Sequence, residues 1–247
     1  EFKKFDKLTF EDFEKLAKSE DLSDYEKIGF PDQYREKYDQ LIFEDIVSKL
    51  EACEKKGTKI LDIGSGCSPI VDLFHENAKK NDQQYFINDS KEMIKKYEND
   101  KNLIKIEGRF PECIDDKLFT PDKKFNAIIV YSVLQYVTHS NLYQFIDQAV
   151  ELLADGGKIL IGDIPNLSMK NRFLKSEKGI NFHKEYTGED SHPQINTDFT
   201  QSFEIDDGIL LGILMRYRNS GHNAYIVPQS SNLPMANRRE DIIIERI

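Results

Sequence analysis

The sequence has few cysteines, a deficit of positive charge and no long apolar run. Its three cysteines have neither paired nor metal-like spacing, which favours a reducing compartment over a disulfide-rich secreted fold. The 44 acidic side chains outnumber the 34 basic ones and give a net charge of −10, which argues against nucleic acid as a substrate because its phosphates would be repelled. Nothing in the sequence resembles a signal peptide or a membrane span. We therefore predict a cytoplasmic protein, and its 247 residues suffice for one α/β domain with additional segments.

A site is indicated first by residues 59–69, which have the pattern of a buried strand that runs into a glycine turn. Isoleucine and leucine fill most of positions 60–63. Gly64 and Gly66 permit backbone dihedral angles that are closed to other residues, and Pro69 suits the first turn of a following helix. A ligand can approach the main-chain amides of such a turn closely. A dinucleotide-binding fingerprint needs a third glycine where Pro69 stands, so the spacing argues against that class.

The phrase Asp-Ile-Gly-Ser-Gly at 62–66 resembles the first motif of class I S-adenosylmethionine (SAM) dependent methyltransferases of the small-molecule type. Two later landmarks strengthen the resemblance. The strand at 125–131, followed by Ser-Val-Leu-Gln-Tyr-Val, is similar to the family's motif after its fourth strand. The phrase Leu-Leu-Ala-Asp-Gly-Gly-Lys-Ile-Leu-Ile at 152–161 resembles the one that leads into the family's fifth strand. The order and spacing of these landmarks make coincidence a poor explanation.

The resemblance implies an α/β fold with a Rossmann-like, seven-stranded, mostly parallel sheet and helices on both faces. Residues 1–57 are expected to form an N-terminal helical cap, whose second helix has Pro31 in its first turn. Residues 58–247 are expected to form the methyltransferase domain, with an irregular, polar substrate-recognition insertion after strand five, at about 165–204. The family's sixth strand is parallel and its seventh antiparallel, which would place their connection, 228–240, at the edge of the sheet where ligands bind.

The same resemblance implies SAM as the cofactor and assigns its binding residues to the carboxyl ends of four strands. They are Asp62, Gly64, Ser65, Gly66, Asn88, Asp89, Ser90, Met93, Arg109, Phe110, Tyr131, Ser132 and Tyr136. Two asparagines depart from the family pattern. Asn88 stands where relatives carry the acid that binds the ribose hydroxyls, and Asn126 stands where an aspartate is usual. The ribose is therefore assigned to Asn88 or to Asp89; alternatively, Asp89 only caps the next helix together with Glu92.

The acceptor side is predicted from charge and from the chemistry of methyl transfer. A hydroxyl acceptor needs a nearby base, and histidine is the natural choice near neutral pH. We favour His183, in the insertion, as the catalytic base and name His139, behind the fourth-strand motif, as the second candidate. The residues predicted to bind the acceptor are Tyr34, Arg35, Lys170, Arg172, Arg238 and Arg239. Such cations in an acidic protein favour a small anionic acceptor, for example a nucleotide-linked sugar or another phosphorylated metabolite.

Other interpretations stay open on the sequence. Residues 234–241, Pro-Met-Ala-Asn-Arg-Arg-Glu-Asp, resemble methyltransferases of bacterial surface-polysaccharide synthesis. A small amine could replace the hydroxyl, because a neutral amine can attack once it is desolvated and needs no strong base. The two asparagines also allow a non-catalytic, methyltransferase-like binding subunit. No His-x-His pair or cysteine cluster indicates a metal, so none is predicted, and neither nucleic acid nor a membrane is an expected partner.

Overall fold

The computed structural model describes residues 8–114, 124–195 and 204–247. Within these ranges the strands are β1 (Lys59–Ile63), β2 (Gln84–Asp89), β3 (Leu103–Glu107), β4 (Phe125–Tyr131), β5 (Leu153–Pro165), β6 (Asn223–Pro228) and β7 (Arg239–Glu245). They form one seven-stranded sheet in the order β3-β2-β1-β4-β5-β7-β6. β7 pairs antiparallel with β5 and β6, whereas the pairs among β1 to β5 are parallel. The predicted mostly parallel sheet is confirmed.

The helices of the described ranges cover both faces of this sheet. They are α1 (Phe10–Ala17), α2 (Asp24–Lys27), α3 (Asp39–Lys49), α4 (Pro69–Lys80), α5 (Leu142–Glu151), α6 (Leu167–Lys175), α7 (Glu177–Thr187) and α8 (Asp207–Asn219). Among the described helices, none has the length and apolar character needed to span a membrane.

Successive residues of β1 supply two separate cores, one on each face of the sheet. Leu61 and Ile63 belong to a core that includes residues of α5 and α8. Ile60 belongs to a second core with residues of α3 and α4. Because both faces are covered, β1 is apolar at most of its positions, as a buried parallel strand must be. Among its four buried positions, 60–63, the exception is Asp62, which faces the site described below.

The predicted strand, turn and helix around residues 59–69 are confirmed. β1 ends at Ile63, and α4 begins at Pro69, which occupies the first helical position where the missing N–H is not needed. α4 then buries Val71 and Phe74 against the sheet. The glycine turn is therefore held between a buried strand and a packed helix.

The cap is less regular than the sequence predicts. The expected helix with Pro31 in its first turn is wrong, because a short 3₁₀ turn (Asp32–Tyr34) follows Pro31 and α3 begins only at Asp39. The backbone departs from helical geometry at Arg35, where φ is −129°. The Arg35 side chain is buried as a result, with 4% of its surface exposed. This break brings a residue of the cap into the body of the protein.

The predicted irregular insertion is instead helical over much of its described length. Asn166 caps α6 by accepting from the Met169 amide, and Ser176 caps α7 by accepting from the Gly179 amide. α7 buries only Gly179, so no apolar stripe marks the helix in the sequence. Residues 196–203, at the end of the predicted insertion, lie outside the described residues.

Candidate active site

A cavity opens at the carboxyl ends of β1, β2, β3 and β4, beneath the cap. Its volume is about 1500 Å³ when its open mouth is included. β1 lies between β2 and β4 in the sheet, and the crossover connections diverge at this point and leave a crevice. The predicted cofactor residues that line the cavity are Asp62, Gly64, Ser65, Gly66, Asn88, Asp89, Met93, Arg109, Phe110, Tyr131, Ser132 and Tyr136.

The glycine turn forms one wall of the cavity and requires glycine at two positions. Gly64 and Gly66 have φ values of +71° and +67°, in the left-handed region. A Cβ atom on Gly64 would lie 2.5 Å from Cγ2 of Val133, and one on Gly66 would lie 2.7 Å from Cγ2 of Ile28. The Ser65 hydroxyl is buried in this wall and has no hydrogen-bond partner among the described residues. The turn thus offers main-chain groups and one unpaired hydroxyl to a ligand.

The two asparagines that depart from the family pattern both have structural partners. The buried Asn88 amide donates to the main-chain carbonyls of Ile106 and Gly108, each at 2.9 Å. An aspartate could not donate these bonds. Asn126 Oδ1 accepts from the Lys59 main-chain N–H at 2.9 Å. The Asn88 replacement is therefore explained by the two bonds that its amide donates. An aspartate could accept the Lys59 bond as well, so nothing in the structure explains the replacement at 126.

Asp89, the residue after Asn88, presents its carboxylate to the glycine turn. Its Oδ2 accepts from the Gly66 amide at 3.0 Å, and its Oδ1 accepts from the Ser90 amide at 2.7 Å. Burial raises the pKa of Asp89 to about 6. Residues 90–102, all of them described, contain turns and no helix, so the alternative in which Asp89 and Glu92 cap a helix is wrong. Asp89 is the residue that carries a carboxylate at this strand end.

The remaining predicted residue of this strand end, Ser90, lies outside the cavity lining. It is buried, and its hydroxyl accepts from the Met93 amide at 3.3 Å. Met93 itself does line the cavity. Ser90 therefore shapes the turn that positions Met93.

Asp62 lies in the floor of the cavity, inside the sheet. Burial raises its pKa to about 7, although the Tyr85 hydroxyl donates to it at 2.6 Å and opposes the shift. No cation among the described residues pairs with either Asp62 or Asp89. This part of the cavity holds acidic groups whose negative charge is not neutralised by the protein.

The far side of the cavity is aromatic. Phe110, which is 7% exposed, packs edge-on against Phe145 with ring centroids 5.0 Å apart. Arg109 is exposed, and its guanidinium lies 3.9 Å from the Glu11 carboxylate of the cap. The cap also contributes lining residues that the sequence analysis missed: Phe10, Phe13, Ile28 and Phe30. The apolar residues at helical spacing in positions 8–16 are the signal in the sequence that could have located the first two.

A buried ionic group joins the cap to the strand ends, and Asp163 is at its centre. Oδ2 of Asp163 accepts from Arg35 Nη2 at 2.8 Å and from the Ser132 hydroxyl at 2.5 Å, and it lies 3.0 Å from Arg239 Nη1. Burial alone raises the pKa of Asp163, but the guanidinium groups of Arg239 and Arg35 outweigh it and lower the pKa overall. Arg35 and Ser132 line the cavity, whereas Asp163 lies behind them. Sequence reasoning missed Asp163, although an acid at the end of an apolar strand was a visible signal.

A second set of contacts extends this ionic group along β7. The Asp163 main-chain N–H donates to Asp241 Oδ1 at 2.8 Å, and Lys49 of α3 donates to Asp241 Oδ2 at 2.7 Å. Gln229, in the loop before β7, donates to Oδ1 of both Asp163 (3.3 Å) and Asp241 (3.1 Å). The cap is therefore bound to the sheet through two of its basic residues, Arg35 and Lys49.

The other predicted acceptor and catalytic residues lie outside the cavity lining. Lys170 and Arg172 are exposed on α6, and Arg172 pairs with Asp207. His183 lies on α7 with Nε2 3.4 Å from the Ser191 hydroxyl. His139 is exposed in the turn before α5.

Tyr34 and Arg238 also lie outside the lining, but they share a contact region that is treated below. No described group of three or more His, Cys, Asp and Glu side chains has an arrangement that could hold a metal ion.

Comparisons with known proteins find similarity in structure only. No protein-family model matches the chain, and no curated protein matches it significantly. Among solved structures, the plantazolicin methyltransferase BamL in complex with a triazolic desmethylPZN analog and SAH is 14% identical, with 100% of both chains covered and a TM-score of 0.59. The magnesium protoporphyrin IX methyltransferase (ChlM) of Synechocystis PCC 6803 with bound SAH is 12% identical, with 96% of this chain and 94% of that chain covered and a TM-score of 0.53.

A SAM dependent methyltransferase from Archaeoglobus fulgidus is 16% identical, with 87% of this chain and 97% of that chain covered and a TM-score of 0.50. At these identities the likeness establishes the fold. The chain has the class I fold of SAM-dependent methyltransferases, with its cavity at the strand ends where that fold binds ligands.

Proposed function

We propose that the protein is an enzyme that transfers a methyl group from SAM to a small-molecule acceptor. The observation that carries the proposal is the cavity at the carboxyl ends of β1 to β4, lined by the glycine turn and by the Asp89 carboxylate. The similar solved structures support it, because they are methyltransferases and two of those cited contain S-adenosylhomocysteine (SAH), the demethylated form of SAM.

The residues present fit this cofactor. Only glycine fits the turn at 64 and 66, because a Cβ atom there would meet Val133 or Ile28, and the buried Ser65 hydroxyl has no partner among the described residues. Asp89 can accept from both ribose hydroxyls, since a carboxylate has two acceptor oxygens. Phe110 lies at the strand end from which an aromatic ring can pack against adenine. The uncompensated negative charge of Asp62 and Asp89 favours a ligand that carries positive charge.

The chemistry requires positioning more than functional groups. SAM supplies a methyl carbon on a positively charged sulfur, which a nucleophile displaces in line. The protein must hold the acceptor in that line and exclude water. The cap can do this, because Phe10, Phe13 and Phe30 lie over the cavity and Arg35 fastens this part of the chain to Asp163.

For the acceptor, we retain a hydroxyl on a small anionic molecule, with His183 as the base and His139 as the second candidate. A nucleotide-linked sugar or another phosphorylated metabolite fits this description. The link to polysaccharide synthesis and the cytoplasmic location remain predictions from the sequence. A small amine is the second candidate, because no histidine is among the described residues that line the cavity. An amine needs only to be desolvated before it attacks.

The proposal is tested by measuring methyl transfer from SAM to candidate acceptors. The protein is incubated with SAM labelled in its methyl group and with a panel of nucleotide sugars, phosphorylated metabolites and amines. Transfer of label to an acceptor, with release of SAH, is expected, and NMR of the product distinguishes an O-methyl from an N-methyl group. His183→Ala should reduce transfer to a hydroxyl, and full turnover by this variant would remove His183 as the base. Failure to bind SAM at all would refute the proposal and would favour the non-catalytic alternative.

A further inference from the structure

Arg238 lies among aromatic side chains next to the cavity. We call this set the Arg238 cluster, and it consists of Tyr34, Phe173, Phe182, Tyr186 and Arg238. The guanidinium carbon lies 6.0 Å from the centroid of the Phe173 ring and 5.7 Å from that of Phe182, within the range of cation–π contact. The Phe182 and Tyr186 rings are stacked with centroids 6.0 Å apart and 11° between their planes. These two residues are 40% and 63% exposed, so a ligand can reach them.

The positive charge of Arg238 has no acidic partner among the described residues. Its Nε donates to Asn237 Oδ1 at 3.0 Å, and no described carboxylate forms an ion pair with its guanidinium. Burial lowers the pKa of Arg238, and the nearby charge of Arg239 lowers it further. The exposed Arg172 shows the contrast, because it is paired with Asp207 at 2.5 Å. An oxyanion bound at Arg238 would restore the charge balance that burial disturbs.

The cluster adjoins the cavity through two chain neighbours. Tyr34 precedes Arg35, which lines the cavity, and the Tyr34 hydroxyl is 3.4 Å from that of Tyr186. Arg238 precedes Arg239, which contacts the same Asp163 oxygen as Arg35 does. The cluster is therefore joined in the chain to Arg35 of the cavity lining and to the buried ionic group behind it.

We propose that the Arg238 cluster binds the acceptor, and that the acceptor carries a carboxylate or phosphate group on a flat, apolar ring system. The guanidinium edge can donate two parallel hydrogen bonds to an oxyanion, while the exposed Tyr186 ring can stack on the ring system and Phe182 can pack against it. This proposal rests on the proposed methyl transfer in one respect: only if the protein transfers a methyl group is the ligand of the cluster the acceptor. Binding at the cluster can be measured without turnover.

The experiment uses three probes that share one ring: 2-naphthoate, 2-naphthyl phosphate and the neutral 2-naphthalenemethanol. Each is titrated by ligand-observed NMR into the full chain, with and without SAH. At least one anion should bind about tenfold more tightly than the neutral alcohol, and the better of the two identifies the oxyanion. Arg238→Gln should weaken that anion about tenfold, and Phe182→Leu should weaken all three probes.

Arg216→Gln is the matched control, since it removes an exposed arginine of α8 that pairs with Asp147 outside the cluster, and it should leave probe affinity unchanged. SAH affinity should be equal in wild type and Arg238→Gln, which shows that the variant is folded. Equal binding of charged and neutral probes, or equal losses in Arg238→Gln and Arg216→Gln, would overturn the proposal. If SAH does not bind but the anion still depends on Arg238, the site stands and the methyltransferase proposal fails.

Discussion

The two walls of the cavity differ in whether their buried carboxylates have cationic partners. On the wall formed by β1 and β2, Asp62 and Asp89 have no described cationic partner, and burial raises their pKa values to about 7 and about 6. On the wall formed by β4 and β5, Asp163 contacts Arg35 and Arg239, and its pKa is lowered. The first wall is left acidic and suits a cationic ligand. The second is neutralised within the protein and holds the cap in place.

The largest expected effect comes from removing the charge of the neutralised wall. Asp163→Asn leaves Arg35 and Arg239 buried without a counter-charge, which should lower the free energy of unfolding by about 3–5 kcal/mol. Urea unfolding at pH 7 measures this. Asp155→Asn is the control, because Asp155 pairs with Arg246 while 90% of its side chain is exposed, and it should cost less than about 1 kcal/mol.

The contribution of Asp163 to the free energy of unfolding should depend on pH. Because the folded-state pKa of Asp163 is lowered, its contribution is present above the unfolded pKa and is lost as pH falls through the folded pKa. The difference between wild type and Asp163→Asn should therefore shrink in acid. Equal costs for the Asp163 and Asp155 variants at pH 7 would show that the buried ionic group does not hold the cap.

The next effect concerns the acidic wall. Gly64→Ala should weaken SAH binding about 100-fold, because the new Cβ meets Val133 in the cavity wall and the backbone is left-handed. Gly156→Ala is a matched control, since its φ of +73° imposes the same backbone strain while nothing lies within 4 Å of the added Cβ. Calorimetric titration of both variants separates strain from loss of the site. Equal SAH affinities in the two variants would show that the cofactor does not bind at the glycine turn.

The smallest expected effect is the loss of SAH affinity when Asp89 is protonated. Ribose hydroxyls must donate to its carboxylate, and a folded pKa of about 6 means that the free protein is protonated below that pH. SAH affinity should be constant well above pH 6 and should fall up to about tenfold per pH unit below it. Asp89→Asn should bind weakly and lose this slope, whereas Glu112→Gln, an exposed acid at the cavity mouth, should keep it. An unchanged slope in Asp89→Asn would assign the titration to another group.

The sequence predicts the residues of one wall of the cavity better than those of the other. The acidic wall is built from short segments, since Asp62, Gly64 and Gly66 are successive or nearly so, and Asp89 follows the next strand. Local pattern therefore located them. The sequence left Asn88 and Asp89 as alternatives, because only the strand pairing shows that the Asn88 amide is used by the carbonyls of Ile106 and Gly108.

The neutralised wall could not be found in this way. Arg35 is 97 residues from Ser132 and 128 residues from Asp163, so their contact depends on tertiary packing. The non-helical backbone before α3, which buries Arg35, has no strong signal in the local sequence, because Pro31 favours the start of a helix there. Charge alone does not separate buried from exposed arginines, because Arg172, a basic residue of the insertion, pairs with Asp207 on the surface.

The most direct test of the central claim is a calorimetric titration of the wild-type chain with SAH, and with NAD as a competing class of nucleotide. The account predicts one SAH site with a dissociation constant of about 1–100 μM, tighter as pH rises from 5 to 7, and no measurable binding of NAD. Absence of heat with SAH from a chain that is folded by circular dichroism, or binding of NAD in its place, would contradict it.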